Sequence, residues 1–355
     1  MFNLQNLIRP NILALQPYSS ARDEFKQNDN PNANNFADFT FLDANENSLG
    51  SVIGNFNRYP DPLQRNLKQA IATGRTVNEN QIFLGNGSDE AIDLLFRIFC
   101  EPAKDNVIIL PPTYGMYEVA ANINNVAIKK INLTLDYQID TEKVLQAIDT
   151  NTKLIFVCSP NNPTANSIEK QSIEKLLQHF SGIVVIDEAY IDFSATESWL
   201  GSLSKYPSLV ILQTFSKAYG LAALRLGMAF ASPEIIAYFN KVKPPYNINA
   251  ETQRLALQAF AHKTEIKNQI EILITEREKL SRDLAKLPFV LCVYPSDANF
   301  LLVKVKDAEK YYQNLIAKQI VVRNRSKVVL CEGCLRVTIG TREENEKLLA
   351  CLVEI

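Results

Sequence analysis

Four short, nearly continuous apolar runs constrain the fold of this chain more than any other feature: Asn106 to Leu110, Lys153 to Val157, Ile183 to Ile186 and Leu209 to Gln213. Alternating polarity would mark a sheet with one wet face, whereas unbroken apolar runs mark strands covered on both faces, as in parallel sheets. Helical patterns lie between them, at Thr141 to Asp149 and Glu169 to His179. Repetition of strand, helix and strand predicts an α/β protein with a doubly wound sheet. At 355 residues the chain has length for about two domains.

In open parallel sheets, ligands sit beyond the carboxyl ends of the strands. The first run is followed by Pro111-Pro112-Thr113-Tyr114, and the second by a loop through Asn161-Asn162-Pro163-Thr164. Asp187-Glu188-Ala189-Tyr190 follows the third, and Ser216-Lys217 the fourth. Taken singly, Lys217 reads as a solvated charge, Asp187 as a helix cap and Tyr114 as a core aromatic. Taken together they bring an amine, a carboxylate, an amide and an aromatic face to one crevice. Pyridoxal 5'-phosphate needs that set. Lys217 would form a Schiff base with its aldehyde and then move protons. Asp187 would keep the pyridine nitrogen protonated, Tyr190 and Asn162 would donate to the ring's phenolate oxygen, and Tyr114 would stack on the ring. For the phosphate, Gly85-Asn86-Gly87-Ser88-Asp89-Glu90 leads into an amphipathic helix from Ala91 to Cys100. Its glycines admit close approach, and the N–H groups of a helix start face an anion. Ser216 and Arg225 would complete that clamp.

Beyond Lys243-Pro244-Pro245 the pattern changes. A helix-favouring stretch from about Ala250 to Lys286 precedes four strand-like segments, Val290 to Tyr294, Asn299 to Val305, Ile320 to Arg323 and Leu335 to Ile339. Thr341-Arg342-Glu343-Glu344 then opens a last helix with a capping box. The expected division is an N-terminal arm over 1–45, packed with the smaller domain, a large domain over 46–249 and a small α+β domain over 250–355. The Asn-rich stretch Asn28 to Asn35 reads as a loop of the arm.

A net charge of -2 gives no electrostatic pull toward nucleic acid or an anionic membrane. No apolar stretch approaches the ~20 residues of a membrane span, and the first residues lack a secretory pattern. A cytoplasmic protein is expected. Cys331-Glu332-Gly333-Cys334 has metal spacing, but there is no second cysteine pair and only His179 and His262 beside it. Buried reduced thiols are the better expectation. Neither a G-x-S-x-G elbow nor a complete dinucleotide fingerprint is present.

The chain resembles the fold-type I pyridoxal-phosphate aminotransferases, and within them the histidinol-phosphate aminotransferase family. The resemblance runs the whole length. It is carried by Arg9-Pro10-Asn11-Ile12, Pro17-Tyr18 with Ser19 to Glu24, Leu42-Asp43-Ala44-Asn45-Glu46-Asn47, Arg58-Tyr59-Pro60-Asp61-Pro62, the Lys217 segment, Val322-Arg323 and Cys334 to Glu344. It implies a large domain with a mostly parallel sheet flanked by helices, plus a smaller α+β domain. The implied reaction is reversible amino transfer between L-histidinol phosphate and 2-oxoglutarate, giving imidazole acetol phosphate and L-glutamate, in histidine biosynthesis. The implied assembly is a homodimer in which Tyr59 reaches the cofactor phosphate of the neighbouring site. Arg323 and Arg336 would hold the substrate's anionic group, and Tyr18 would close over it. Two departures, Ala165 where glycine usually stands and Ser48 where proline does, bear on loop geometry alone. An aromatic amino acid aminotransferase, a phosphate-substrate decarboxylase of the same fold and a non-catalytic cofactor-binding protein stay open as alternatives.

Overall fold

The computed structural model describes residues 2–18 and 40–354. A seven-stranded sheet holds β1 (Ile82–Asn86), β2 (Asn106–Ile109), β3 (Ala127–Lys130), β4 (Thr152–Cys158), β5 (Ile183–Asp187), β6 (Leu209–Thr214) and β7 (Leu226–Phe230), in the order β1-β7-β6-β5-β4-β2-β3. All neighbours pair in parallel except at β7, which runs against both β6 and β1. The unbroken apolar runs have their reason here. Ile155, Val184 and Ile211 fill the core on one side of the sheet, while Leu154, Val185 and Val210 fill the core on the other. Full burial of one such side chain contributes about 1.5–3 kcal/mol.

The expectation omitted three strands. β3 is an edge strand and only partly buried, so it lacks an apolar signature. β1 and β7 each contain a glycine, Gly85 and Gly227, that interrupts the pattern. The helix expected from Ala91 begins four residues earlier, spanning Gly87–Phe99.

The long helical stretch is two helices, Ala250–Ala261 and Lys263–Leu284, broken at His262. The first of them, expected with the smaller domain, packs on the larger one: the Phe260 ring lies against Phe215 and Tyr219. The second covers a four-stranded antiparallel sheet of β8 (Val290–Val293), β9 (Phe300–Val305), β10 (Arg323–Asn324) and β11 (Cys334–Thr338), in the order β10-β11-β9-β8. Leu280 and Leu284 meet Leu301, Val303 and Val337 in its core. The expected strand from Ile320 to Arg323 shrinks to Arg323–Asn324, because Ile320 closes the helix Ala308–Ala317 instead, donating its N–H to Leu315 O at 2.8 Å. The capping box at Thr341 forms with both of its hydrogen bonds.

The N-terminal segment also departs from expectation. Its described start, residues 2–18, packs on the larger domain. Ile8, at the end of one short helix, and Ile12, in the next, join the same core as Phe99, and Arg9 N–H donates to Ile98 O at 2.9 Å. Ser19 to Glu24 and the loop at Asn28 to Asn35 lie outside the described residues. Among the thiols, Cys331 and Cys334 are buried, and burial pushes them to about 11 and about 12; Cys292 is exposed.

Candidate active site

Parallel pairing turns the carboxyl ends of β2, β4, β5 and β6 toward one edge of the sheet, where a cavity of about 900 Å³ opens. Ser88, Asp89, Tyr114, Asn162, Asp187, Tyr190, Ser216, Lys217, Arg225, Arg323 and Arg336 all line it.

Asp187 is the last residue of β5 and is 2% exposed. Tyr117 donates its hydroxyl to Asp187 Oδ2 at 2.7 Å, and Ala189 N–H donates to Oδ1 at 3.1 Å. No salt bridge reaches this carboxylate among the described residues. Burial raises the carboxyl from 3.8 to about 6, against the Tyr117 hydrogen bond that lowers it. A buried carboxylate without a cation is a costly arrangement. It fits a site that receives a protonated ring nitrogen. Tyr117, fully buried and stacked on Phe156 at 4.7 Å, was not read from the sequence. The available signal was its place three residues beyond Tyr114, where a helix start turns both rings inward.

Lys217 leaves β6 and opens onto the cavity, where solvent reaches it. Its amine lies 5.7 Å from the centre of the Tyr190 ring. The protein around it still lowers the amine, first by desolvation and then by the charge of Arg336, with Asp187 opposing. Both leading causes favour the neutral, reactive form. Tyr190 is 7% exposed, and its burial pushes the phenol up, so it remains a donor at neutral pH. Asn162 accepts from Arg336 Nη1 at 2.6 Å. With its oxygen engaged, the amide NH2 is the end left for a ligand.

The glycine-rich turn expected to cradle an anion opens the helix Gly87–Phe99. Gly87 takes φ +73, and a Cβ there would stand 2.5 Å from Arg225 Nη2. On β7, a Cβ at Gly227 would overlap Ser88 N and Gly87 C. Only glycines let the strand and the helix start meet so closely. Arg225 Nη1 donates to Ser216 Oγ at 3.4 Å and Nη2 faces Asp89 Oδ2 at 3.5 Å. Tyr114 donates its hydroxyl to Asp89 Oδ1 at 3.1 Å, and its ring stands edge-on to Tyr117. Gly227→Ala is expected to destabilise the fold by roughly 3 kcal/mol, the upper part of the overpacking range, because backbone atoms must give way. Urea unfolding measures it, and a loss under about 0.5 kcal/mol would show that the helix start can shift.

The smaller sheet supplies the opposite wall. Arg323 and Arg336 are register partners between β10 and β11. Arg336 also lies over the Phe300 ring at 5.2 Å, and its buried Nε has no partner. Arg325 lines the same wall and was not singled out in the sequence, although Arg323 and Arg325 stand two apart, the strand period that puts side chains on one face. Tyr18 and Tyr59 are not brought to the cavity. Tyr18 is 73% exposed. Tyr59 stacks on Tyr246 at 4.5 Å, beside a second hollow of about 500 Å³ lined also by Arg58 and Asn249.

A primary amine at the ends of parallel strands, beside a glycine-rich helix start, is the arrangement expected of fold-type I transferases that work through a carbonyl cofactor, and comparison with known proteins shows that class. A model of the family described as aminotransferase class I and II matches residues 24–352. The histidinol-phosphate aminotransferase of Flavobacterium johnsoniae is 55% identical over 344 residues, covering 97% of this chain and 96% of that protein. The crystal structure of the histidinol-phosphate aminotransferase from Clostridium acetobutylicum superposes with a TM-score of 0.78 at 27% identity, over 84% of this chain and 91% of that one. The Sinorhizobium meliloti histidinol-phosphate aminotransferase, solved in complex with pyridoxal-5'-phosphate, shares the fold with a TM-score of 0.78 at 23% identity, over 88% of this chain and 89% of that one. The chain belongs to the class I and II aminotransferases and, within them, to the histidinol-phosphate aminotransferase family.

Proposed function

We propose that this chain transfers an amino group between L-histidinol phosphate and 2-oxoglutarate, giving imidazole acetol phosphate and L-glutamate, a step of histidine biosynthesis. The observation that carries the reading is one cavity holding the Lys217 amine on one side and the Arg323 and Arg336 guanidiniums on the other. Both amino donors of such a reaction are anionic at the end remote from the amine, one as a phosphate and the other as a carboxylate, and L-glutamate adds a second carboxylate beside the amine. A single cationic wall serves both in turn.

Pyridoxal 5'-phosphate, when bound, supplies the carbonyl that takes the substrate amine and a ring that spreads the electron pair left at the α-carbon. Ser216, Arg225 and the N–H groups at Ser88 and Asp89 would hold its phosphate, Asp187 its ring nitrogen, and Asn162 and Tyr190 its phenolate oxygen. Tyr114 would cover the ring. Lys217 Nζ, its basicity reduced by its surroundings, would take the proton from the substrate's α-carbon and deliver it to the carbon that had been the cofactor's carbonyl, so that the nitrogen stays behind when the keto product leaves. Arg336 fixes the far end of the substrate, and a closing smaller domain keeps water from the carbanion.

The reading extends to a homodimer in the cytoplasm. Leu42, Leu49, Val52 and Ile53 are 81%, 99%, 102% and 77% exposed on the single chain. An apolar segment of that kind calls for a partner, and a second copy would put Tyr59 beside the neighbouring cofactor phosphate. Tyr18 would close over the substrate.

The test is one half-reaction followed by absorbance. Holoenzyme is mixed with L-histidinol phosphate and no keto acid, beside L-phenylalanine and L-threonine phosphate. Rapid loss of the cofactor's visible band with L-histidinol phosphate alone is expected. An equal response to L-phenylalanine would favour an aromatic aminotransferase, and silence toward all three would end the substrate assignment.

A further inference from the structure

The cationic wall of the cavity carries more charge than a carboxylate needs. One guanidinium meets one carboxylate with two parallel hydrogen bonds, yet Arg323, Arg325 and Arg336 all face this space. The carboxylates lining the cavity are Asp89 and Asp187. Asp89 faces Arg225 and Tyr114, and Asp187 accepts from Tyr117 and Ala189. Arg325 has no salt bridge among the described residues, and its Nε is buried without a partner. Its backbone is held on both sides: its N–H donates to Cys334 O at 2.8 Å and its carbonyl accepts from Val328 N–H at 2.8 Å. The backbone is therefore held where the side chain reaches the cavity wall.

We propose that Arg325 is a third substrate-binding cation, one that biases the cavity toward a doubly charged phosphate ester over a singly charged carboxylate. A phosphate monoester carries ≈ −1.5 to −2 charges near pH 7 and offers three acceptor oxygens. Its charge sits on one group, whereas the two charges of L-glutamate sit on separate carboxylates, so at one point it can engage a third guanidinium that a single carboxylate leaves idle. Burial and the charges of Arg336 and Arg323 all push the Arg325 guanidinium down, a repulsion that a dianion cancels and a monoanion only reduces.

This inference rests on the proposed substrate pair, and the test separates the two. KM and kcat are measured on holoenzyme for L-histidinol phosphate and for L-glutamate, in the wild type, Arg325→Gln and Arg325→Lys. Arg325→Gln is expected to raise KM for L-histidinol phosphate on the order of tenfold, and KM for L-glutamate by less than about threefold. Arg325→Lys keeps the charge and is expected to recover most of the loss. Should Arg325→Gln not fold, the same split, smaller in Arg325→Lys, decides the matter. Equal impairment of both donors, or a fall in kcat with neither KM changed, overturns the inference while leaving the substrate reading intact. A wild type that handles L-glutamate and ignores L-histidinol phosphate brings down the reading and the inference together.

Discussion

Lys217→Ala abolishes amino transfer and leaves the fold standing; that is the expected result with the largest effect. The amine is asked both to bind the carbonyl covalently and to move the α-proton. Proton transfer alone contributes about 10²–10⁴-fold, and losing the nucleophile as well should cost at least the upper end of that range. The fold should not notice. Lys217 makes no side-chain hydrogen bond or salt bridge among the described residues, and its surroundings disfavour its charge. The measurement is the cofactor's absorbance during a single turnover with L-histidinol phosphate, beside a melting curve. Retention of more than about 1% of the wild-type rate by a correctly folded variant would remove Lys217 from the centre of the mechanism.

Asp187→Asn is expected to move activity and stability in opposite directions. The native carboxyl is held near 6 against an ordinary 3.8, so the folded chain keeps this proton more tightly than the unfolded chain does. Stability from this group is therefore greatest at low pH and falls as pH rises from about 4 to about 6. Above that range the cofactor-free protein carries a deficit of about 3 kcal/mol from one buried charge. Asparagine keeps the shape without the charge. Cofactor-free Asp187→Asn should resist urea better than cofactor-free wild type at pH 8, with a smaller difference at pH 5, while turnover of the loaded enzyme drops about a hundredfold or more. A variant less stable than wild type at pH 8 would mean that Asp187 already has its counter-charge within the protein.

Legibility in the sequence followed burial. Strands covered on both faces announce themselves, so β2, β4, β5 and β6 could be read, and with them the residues that leave their carboxyl ends. β3, half wet at the edge, has no such signature, and β7 is disguised by the glycine that lets it touch the helix start. The spacings that mark Tyr117 and Arg325, three beyond Tyr114 and two beyond Arg323, are too common to single either out. One is made by a contact across 70 positions to Asp187, the other by a sheet edge only two residues long. The described start of the arm lies on the larger domain, which its sequence does not tell, because Ile8 and Ile12 suit any apolar surface and only the tertiary fold says which one is near. Ala165 shows a backbone outlasting its usual residue. It keeps φ +70, buried, with a Cβ where glycine would sit without strain, a left-handed conformation that costs roughly 1–2 kcal/mol.

The pairing of β10 with β11 has a consequence of its own. It sets Arg323 directly opposite Arg336, and like charges facing each other across two strands loosen the pair. The outermost strand of the smaller sheet is thus stitched with one thread of backbone bonds and pulled at by its own side chains. An anion held between the two guanidiniums would offset that repulsion from the cavity side. On the proposed reading, the substrate would serve as a removable brace for the edge strand that binds it.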